Sequence, residues 1–285
     1  MMKITVFTAT YNRACLIERV WKSLVEQNFS GMEWVVVDDG SEDGTSELVD
    51  ELRKKSDFEI RYKWKNNGGK HTAINEGVRM AKGELFVMVD SDDELEVGAL
   101  QDIWNVWSGV KEKSNIGGVC GLMRNSKGVK IGTGFEYESI MSDSIEIRTK
   151  YKVDGDLMEV FRTDVLRKFP FPEIDGERFC PEQLVWYRIA KEYKLMFVNR
   201  VWCVRDYFEG GLTDRIVKMR RESPVASMMT YSEVMGYDIG FLGKLRSAIN
   251  YWRFWKPDKG VKIDAKWFWC APLGWMMNIM DCLRN

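Results

Sequence analysis

The chain has a single histidine, His71, and its six cysteines (Cys15, Cys120, Cys180, Cys203, Cys270 and Cys282) are scattered, with no Cys-x-x-Cys pair. A tetrahedral zinc site draws on clustered Cys and His ligands, so this set excludes one, and the thiols read as reduced groups of a cytoplasmic protein. An excess of charge of one sign is missing as well: 42 basic residues face 43 acidic ones, for a formal net charge of -1. Such a balance provides no field to attract nucleic acid. Long hydrophobic runs are also absent. The longest, residues 267–277, contains Pro272 and is about half of the roughly 20 residues a spanning helix needs, so no transmembrane segment is expected. The N-terminus, Met1-Met2-Lys3-Ile4-Thr5-Val6-Phe7, passes straight into strand-like sequence without the apolar core of a secretion signal. Neither an internal repeat nor a low-complexity tract interrupts the chain.

What is present is alternation. A chain of 285 residues has ample length for one large domain or two small ones. Strand-like runs at residues 4–8, 34–37, 60–64 and 85–89 alternate with amphipathic helical patterns. The first helix carries Leu16, Ile17, Val20, Trp21, Leu24 and Val25 at helical spacing. The second runs to about Lys55 with Leu48, Val49 and Leu52 inward and with Ser41 and Asp43 as N-cap oxygens. The third passes through Ala73, Ile74, Gly77, Val78 and Met80 and is expected to stop at a C′ glycine, Gly83. This order predicts βαβ units, and hence an α/β fold with a mostly parallel central sheet. A helix over residues 98–113 and a strand over 118–123 follow, and the pattern changes near Arg124. Residues 124–152, rich in Gly, Ser and charge, predict hairpins or a flap. Further on, the sequence predicts a strand at 156–162, a helix at 181–193, one or two short strands within 196–206 and one long helix over 214–235. The chain therefore divides into residues 1–123, 124–239 and 240–285.

The apolar run Leu85-Phe86-Val87-Met88-Val89 ends in Asp90-Ser91-Asp92-Asp93, three carboxylates within four positions. That much negative charge at the end of a buried strand calls for a counter-ion. Carboxylates spaced Asp-x-Asp at a strand's C-terminal edge can converge on Mg²⁺ or Mn²⁺, which in turn holds the phosphates of a nucleotide. In open α/β sheets this edge is where ligands bind. The competing reading is a turn whose aspartates cap the next helix.

Four motifs in order settle the weight between the two. Val6-Phe7-Thr8-Ala9-Thr10-Tyr11-Asn12-Arg13, Val35-Val36-Val37-Asp38-Asp39-Gly40-Ser41-Glu42-Asp43-Gly44-Thr45, Asn67-Gly68-Gly69-Lys70 and Val89-Asp90-Ser91-Asp92-Asp93 together resemble the nucleotide-binding half of family-2 glycosyltransferases of the GT-A fold. The resemblance is firm over residues 3–123 and weaker to about 215. It implies a single Rossmann-like GT-A domain followed by a helical tail. It also implies an inverting transfer from a nucleotide-diphospho-sugar, of the hexosyl or N-acetylhexosaminyl class, to a saccharide or lipid-linked saccharide, in surface-polysaccharide synthesis. In that family the second Asp of the pair, here Asp39, accepts a hydrogen bond from the base, which points to uracil N3–H. Thr8 and Tyr11 are placed against the base, with Asn12, Arg13 and Ser91 as further donor contacts. Gly68-Gly69 lets backbone approach a phosphate, and Lys70 supplies a point charge to the diphosphate. Asp38, Ser41 and Asp43 read as caps of the following helix. Of the Asp-x-Asp pair, Asp92 is the expected direct metal ligand and Asp90 its partner.

An inverting transfer needs a general base to take the proton of the acceptor hydroxyl. The family places it six positions before an Arg in a Glu-Asp-x-x-Leu-Trp-x-Arg pattern. Cys180-Pro181-Glu182-Gln183-Leu184-Val185-Trp186-Tyr187-Arg188 fits that pattern and makes Glu182 the base, with Glu in place of Asp and Pro181 in place of the preceding Glu. The competing reading is an acidic first-turn residue that complements the helix dipole. Asp93, Asp156, Gly211 and Thr213 are candidates to line the acceptor site. Two other classes fit an α/β chain with clustered carboxylates. A nucleotidyltransferase would carry a Gly-rich basic loop after the first strand, where this chain has Thr8-Ala9-Thr10-Tyr11-Asn12. A non-catalytic sugar-binding module would have no need of Asp39, Asp90, Asp92 and Glu182 together. The tail beyond residue 240 has seven Trp or Phe residues between Trp252 and Trp275, interleaved with Lys and Arg. This composition suits packing on the domain or docking in the headgroup region at the inner face of a membrane.

Overall fold

Near-continuous apolar and β-branched sequence at the start of the chain forms β1 (Ile4–Thr10), and the amphipathic period that follows forms α1 (Ala14–Val25). The rest follow in the order β2 (Met32–Asp38), α2 (Thr45–Lys55), β3 (Glu59–Trp64), α3 (Lys70–Met80), β4 (Leu85–Met88), β5 (Glu94–Leu95), α4 (Ala99–Ser108), β6 (Ile116–Arg124), β7 (Ser139–Ser142), α5 (Glu146–Thr149), β8 (Leu157–Arg162), α6 (Thr163–Lys168), α7 (Glu182–Ala190), β9 (Lys194–Val204), α8 (Leu212–Glu222), α9 (Pro224–Val234), α10 (Gly240–Arg253), a 3₁₀ helix (Ala265–Cys270) and α11 (Ala271–Arg284). The computed structural model describes residues 2–113, 115–207 and 212–284. They fall into two units, Met1–Pro170 with Ile189–Tyr207 and Phe171–Arg188 with Phe208–Asn285.

The first unit is built on one sheet in the order β3-β2-β1-β4-β8-β6-β9-β5, with β7 added to β9. The chain runs outward from β1 to β2 and β3, then returns to place β4 on the other side of β1. Such a reversal of strand order is a topological switch point, where open α/β sheets bind ligands. Beyond β4 the sheet is mixed: β8 runs antiparallel between β4 and β6, and β9 lies parallel to β6. Among the described strands β1, β2, β3, β4, β6 and β9 point one way, so the sheet is mostly parallel. The C-terminal ends of β1, β2, β4 and β9 therefore meet the start of β8 along one edge. On one face Ile4, Val6, Trp34 and Val36 bury against Ile17, Val20 and Leu24 of α1 and Val49 and Leu52 of α2. Full burial of each such side chain stabilises by roughly 1.5–3 kcal/mol. On the other, Phe7 stacks on Phe86 with ring centroids 5.1 Å apart.

Several boundaries differ from the sequence-based expectation. Helix α3 ends at Met80, and Gly83 is not its C′ residue: a Cβ at Gly83 would lie 2.3 Å from the Thr5 amide nitrogen, so the glycine permits backbone to pass β1. The N-cap of α2 is Gly44, at φ +81°, rather than Ser41 or Asp43. Within 196–206 the structure has one long strand, β9, which runs to Val204 because it pairs on both sides with β6 and β7. Residues 124–152 hold a tight turn closed by an Arg124–Lys130 bridge, then β7 and α5.

In the second unit the expected single helix over 214–235 is two. Pro224 lacks an N–H and cannot continue α8, so α9 starts there. The buried Glu177 carboxylate accepts hydrogen bonds from the Val225 and Ala226 amides at 2.7 and 2.9 Å, an anion at the positive end of α9. Helices α9 and α10 and the 3₁₀ helix share a core of Met228, Ala248, Tyr251, Trp252, Trp267 and Cys270. Arg253 joins α10 to α11 through two bonds of 2.6 Å to the Asp281 carboxylate. The tail aromatics divide between the two expectations: Trp252 and Trp267 are core, whereas Phe268, Trp269 and Trp275 are exposed.

Candidate nucleotide-diphosphate site at the switch point

The loops at the C-terminal ends of β1 and β2 are tied to each other. The Asn12 amide donates to Ser41 Oγ at 2.8 Å, Asn12 Oδ1 accepts from the Glu42 amide at 2.9 Å, and Asp43 Oδ2 accepts from the Ala14 amide at 2.9 Å. Asn12 sits at φ +50°, a conformation that Asn tolerates better than most residues. Tyr11 projects from this loop, about half exposed. Asp38 serves the loop itself, accepting from the Ser41 amide at 2.7 Å and from the Tyr62 hydroxyl at 2.7 Å. Burial and the Asp38 charge push the Tyr62 phenol above its usual range.

Asp39 is buried and organises the glycine loop. Its Oδ1 accepts from Lys65 Nζ at 2.7 Å and from the Gly68 amide at 2.9 Å, and its Oδ2 accepts from the Gly69 amide at 2.7 Å. Gly69, at φ +93°, immediately precedes α3, so this carboxylate fixes the turn that delivers Lys70 into the first position of the helix. Lys65, which the motif reading passed over, also donates to Thr72 Oγ1 at 2.8 Å.

The carboxylates after β4 are interleaved with cations. Lys70 Nζ lies 2.6 Å from Asp90 Oδ1, and Arg13 forms an ion pair with Asp92. Arg205, one residue past β9, reaches three acids at once: its Nη2 donates to Asp90 Oδ2 at 2.9 Å, its Nε to Asp93 Oδ2 at 2.8 Å and its Nη1 to Asp156 Oδ2 at 3.0 Å. Asp156 also accepts from the Tyr207 hydroxyl at 2.8 Å. Burial disfavours ionised Asp90, but Lys70 and then Arg205 outweigh it and hold the carboxyl at about 2. Burial and the Asp90 charge push Asp93 up to about 7 in spite of Arg205. Asp90 and Asp93 in turn raise Arg205 above its ordinary value despite burial.

Tyr11, Asn12, Arg13, Asp39, Gly69, Lys70, Asp90 and Asp92 thus gather at this edge of the first unit, with Asp93 and Asp156 joined to them through Arg205. The side chains of two further expected donor contacts are buried. Thr8 shares the core face with Ile4 and Val6, is fully buried, and accepts from Trp34 Nε1 at 3.0 Å; Ser91 is buried as well. Glu182 opens α7 in the second unit, where Arg188 of the same helix donates to Glu233 Oε2 at 2.9 Å. Gly211 and the Thr213 side chain lie outside the described residues. Arg205 was missed because its three partners are remote in sequence; the only clue was that clustered carboxylates demand a cation.

The largely covered carboxylates of Asp90 and Asp92 are hard oxygen donors, the type Mg²⁺ and Mn²⁺ prefer. Among the described residues no group of three or more His, Cys, Asp or Glu forms a cage that would hold a metal alone.

A mostly parallel sheet with charged groups at its switch point is the arrangement in which α/β proteins bind ligands. The glycosyl transferase family 2 model matches residues 5–155, and the chain belongs to that family. It is a glycosyltransferase, which sets aside the nucleotidyltransferase and the non-catalytic module. A relative from Campylobacter jejuni, named GalNAc(5)-diNAcBac-PP-undecaprenol beta-1,3-glucosyltransferase, is 30% identical over 252 residues, 83% of this chain and 72% of that one. The structure of S. aureus TarS 1-349 with UDP-GlcNAc aligns with a TM-score of 0.65 at 21% identity, over 89% of this chain and 71% of that one. The mannosyltransferase PcManGT from Pyrobaculum calidifontis, with GDP-Man and Mn2+, aligns with a TM-score of 0.56 at 18% identity, over 99% of this chain and 76% of that one. These two likenesses show the GT-A fold. No described helix is long and apolar enough to cross a membrane.

Proposed function

We propose that the enzyme moves a sugar, with inversion, from a UDP-sugar to a hydroxyl of a saccharide or lipid-linked saccharide during assembly of a surface polysaccharide. The observation that carries this reading is the interleaving of Arg13, Lys70 and Arg205 with Asp90, Asp92, Asp93 and Asp156. Those ion pairs contain both halves of what a metal–diphosphate complex needs: carboxylates for the cation, and ammonium and guanidinium groups for the phosphates. In this reading Asp92 and Asp90 hold Mg²⁺ or Mn²⁺, which neutralises charge on the diphosphate leaving group. Asp39 fixes the Gly68-Gly69 turn and offers the remaining lone pair of Oδ2 to uracil N3–H, while Tyr11 packs on the base. Lys70 and Arg13 steady the phosphates. Glu182 takes the acceptor proton, and Asp93, Asp156, Gly211 and Thr213 border the acceptor. The undecaprenol-linked substrate in the Campylobacter relative's name supports a lipid-linked acceptor, and UDP-GlcNAc in TarS supports uridine. The same reading locates the enzyme in the cytoplasm at the inner face of the membrane.

A donor screen by release of nucleoside diphosphate, with Mn²⁺ or with excess chelator, tests it. UDP is expected from a UDP-sugar only with metal, and Glu182→Gln is expected to keep donor binding while lowering turnover roughly 10²–10⁴-fold. Full activity in chelator contradicts the metal assignment, and unchanged turnover of Glu182→Gln moves the base elsewhere.

A further inference from the structure

Helix α11 is built inside out for a helix facing water. Its polar residues turn inward: Asp281 is buried against Arg253, and Asn278 Nδ2 donates to the Arg253 carbonyl at 2.6 Å. Gly274 lies so close to α10 that a Cβ there would sit 2.4 Å from Trp252 Cβ. The opposite side carries Leu273, Met276, Ile279, Met280 and Leu283, from 43% to 82% exposed, with no charged residue among them. An exposed leucine here and there is ordinary, but an apolar face running from residue 273 to 283, with no charge among the described side chains, marks an interaction surface. The patch continues off the helix. Trp275 and Phe268, both exposed, each pack on the Trp252 ring, at 6.0 and 5.5 Å.

Charge selects the occupant. Residues 240–285 contain eight basic and three acidic residues, a net charge of +5 in a chain whose total is -1. Beside α11 a cavity of about 430 Å³ runs along Asn278 and Cys282 and is walled by Lys218, Arg221 and Lys256, with Glu222 the one acid. A second copy would bring like charge against like, whereas an anionic lipid surface complements both the basic residues and the apolar face. With 14 residues, α11 is about 21 Å long, too short to span a hydrocarbon core of roughly 30 Å.

We propose that α11 and the adjoining 3₁₀ helix form a docking surface for an anionic bilayer. Leu273, Met276, Ile279, Met280 and Leu283 enter the acyl boundary while Phe268, Trp269 and Trp275 lie at headgroup level, with the exposed lysines of the tail, Lys256, Lys259, Lys262 and Lys266, against lipid phosphates. This rests on the membrane location given under the proposed function, and it specifies the face that makes the contact.

Co-sedimentation of the full chain with phosphatidylcholine vesicles, with and without phosphatidylglycerol, tests it. The full chain is expected to pellet with the anionic vesicles, less so as salt is raised. Met276→Glu/Ile279→Glu should reduce partitioning on the order of tenfold or more. Lys259→Glu/Lys262→Glu, at exposed sites with no packing role, should reduce it and flatten the salt dependence. UDP release with a soluble acceptor should persist in all variants, which separates a failed docking surface from a failed transferase. Vesicle binding equal in wild type and both variants overturns the proposal. So does a lack of binding by the wild type, or a vesicle-independent dimer that Met276→Glu/Ile279→Glu dissolves.

Discussion

Arg205 resolves an electrostatic conflict that four neighbouring acids create. Asp90, Asp92, Asp93 and Asp156 would repel one another at the sheet edge, and the planar fork of one guanidinium reaches three of them. Removing the cation from a largely covered cluster leaves uncompensated charge, which in buried pairs costs about 3–5 kcal/mol. With the Arg205 side chain 22% exposed, solvent screening reduces that to roughly 2–3 kcal/mol. Chemical denaturation of Arg205→Met is expected to show a loss of this size, and Arg205→Lys, with a point charge and no fork, to recover only part of it. A change within about 0.5 kcal/mol, the range of an ordinary surface substitution, would mean the four acids are held by other means. Asp39 illustrates the same economy: one carboxylate turns two glycine amides and Lys65 into the entry of α3.

At the level of elements, close backbone approach rather than helix capping explains Gly83. Its amide donates to Thr5 Oγ1 at 2.9 Å, its carbonyl accepts from Thr163 Oγ1 at 2.6 Å, and a Cβ would meet Ile4 C at 2.5 Å and Thr5 N at 2.3 Å. Neither neighbour is a flexible side chain, so Gly83→Ala is expected to destabilise by roughly 1–3 kcal/mol, the usual range of overpacking. The readout is a lower denaturant midpoint with an unchanged m-value, and an unchanged midpoint would show that β1 and β4 separate freely. The parallel half of the sheet was legible in the sequence because its signals are local: alternation of apolar runs and 3.6-residue periods within about a hundred residues placed β1 to β4 and α1 to α3. The strand at β8 was legible too, but its antiparallel pairing was not, nor were the full length of β9 and the two-residue β5, since these are set by contacts far along the chain. The break at Ser223-Pro224 was legible in principle through Pro224, yet helical periodicity on both sides masked it.

For the molecule as a whole, Asp39, Lys70, Asp90 and Asp92 lie in the first unit, and Glu182, the proposed base, opens a helix of the second. The positions of Asp39, Lys70, Asp90 and Asp92 at one sheet edge were readable because each sits at a strand end or a glycine turn. Arg205 was not, because it lies 112 residues from Asp93 and no local pattern joins them. The burial of the Thr8 side chain was legible in the strand's alternation, which puts Thr8 with Ile4 and Val6. The central claim is that this edge holds a nucleotide diphosphate together with a divalent cation. Calorimetric titration of UDP into the full chain tests it most directly. Binding is expected in Mn²⁺, weakened by tenfold (about 1.4 kcal/mol) or more in excess chelator and in Asp92→Ala. An affinity for UDP that neither chelation nor Asp92→Ala alters, with the variant's circular dichroism unchanged, would contradict the account.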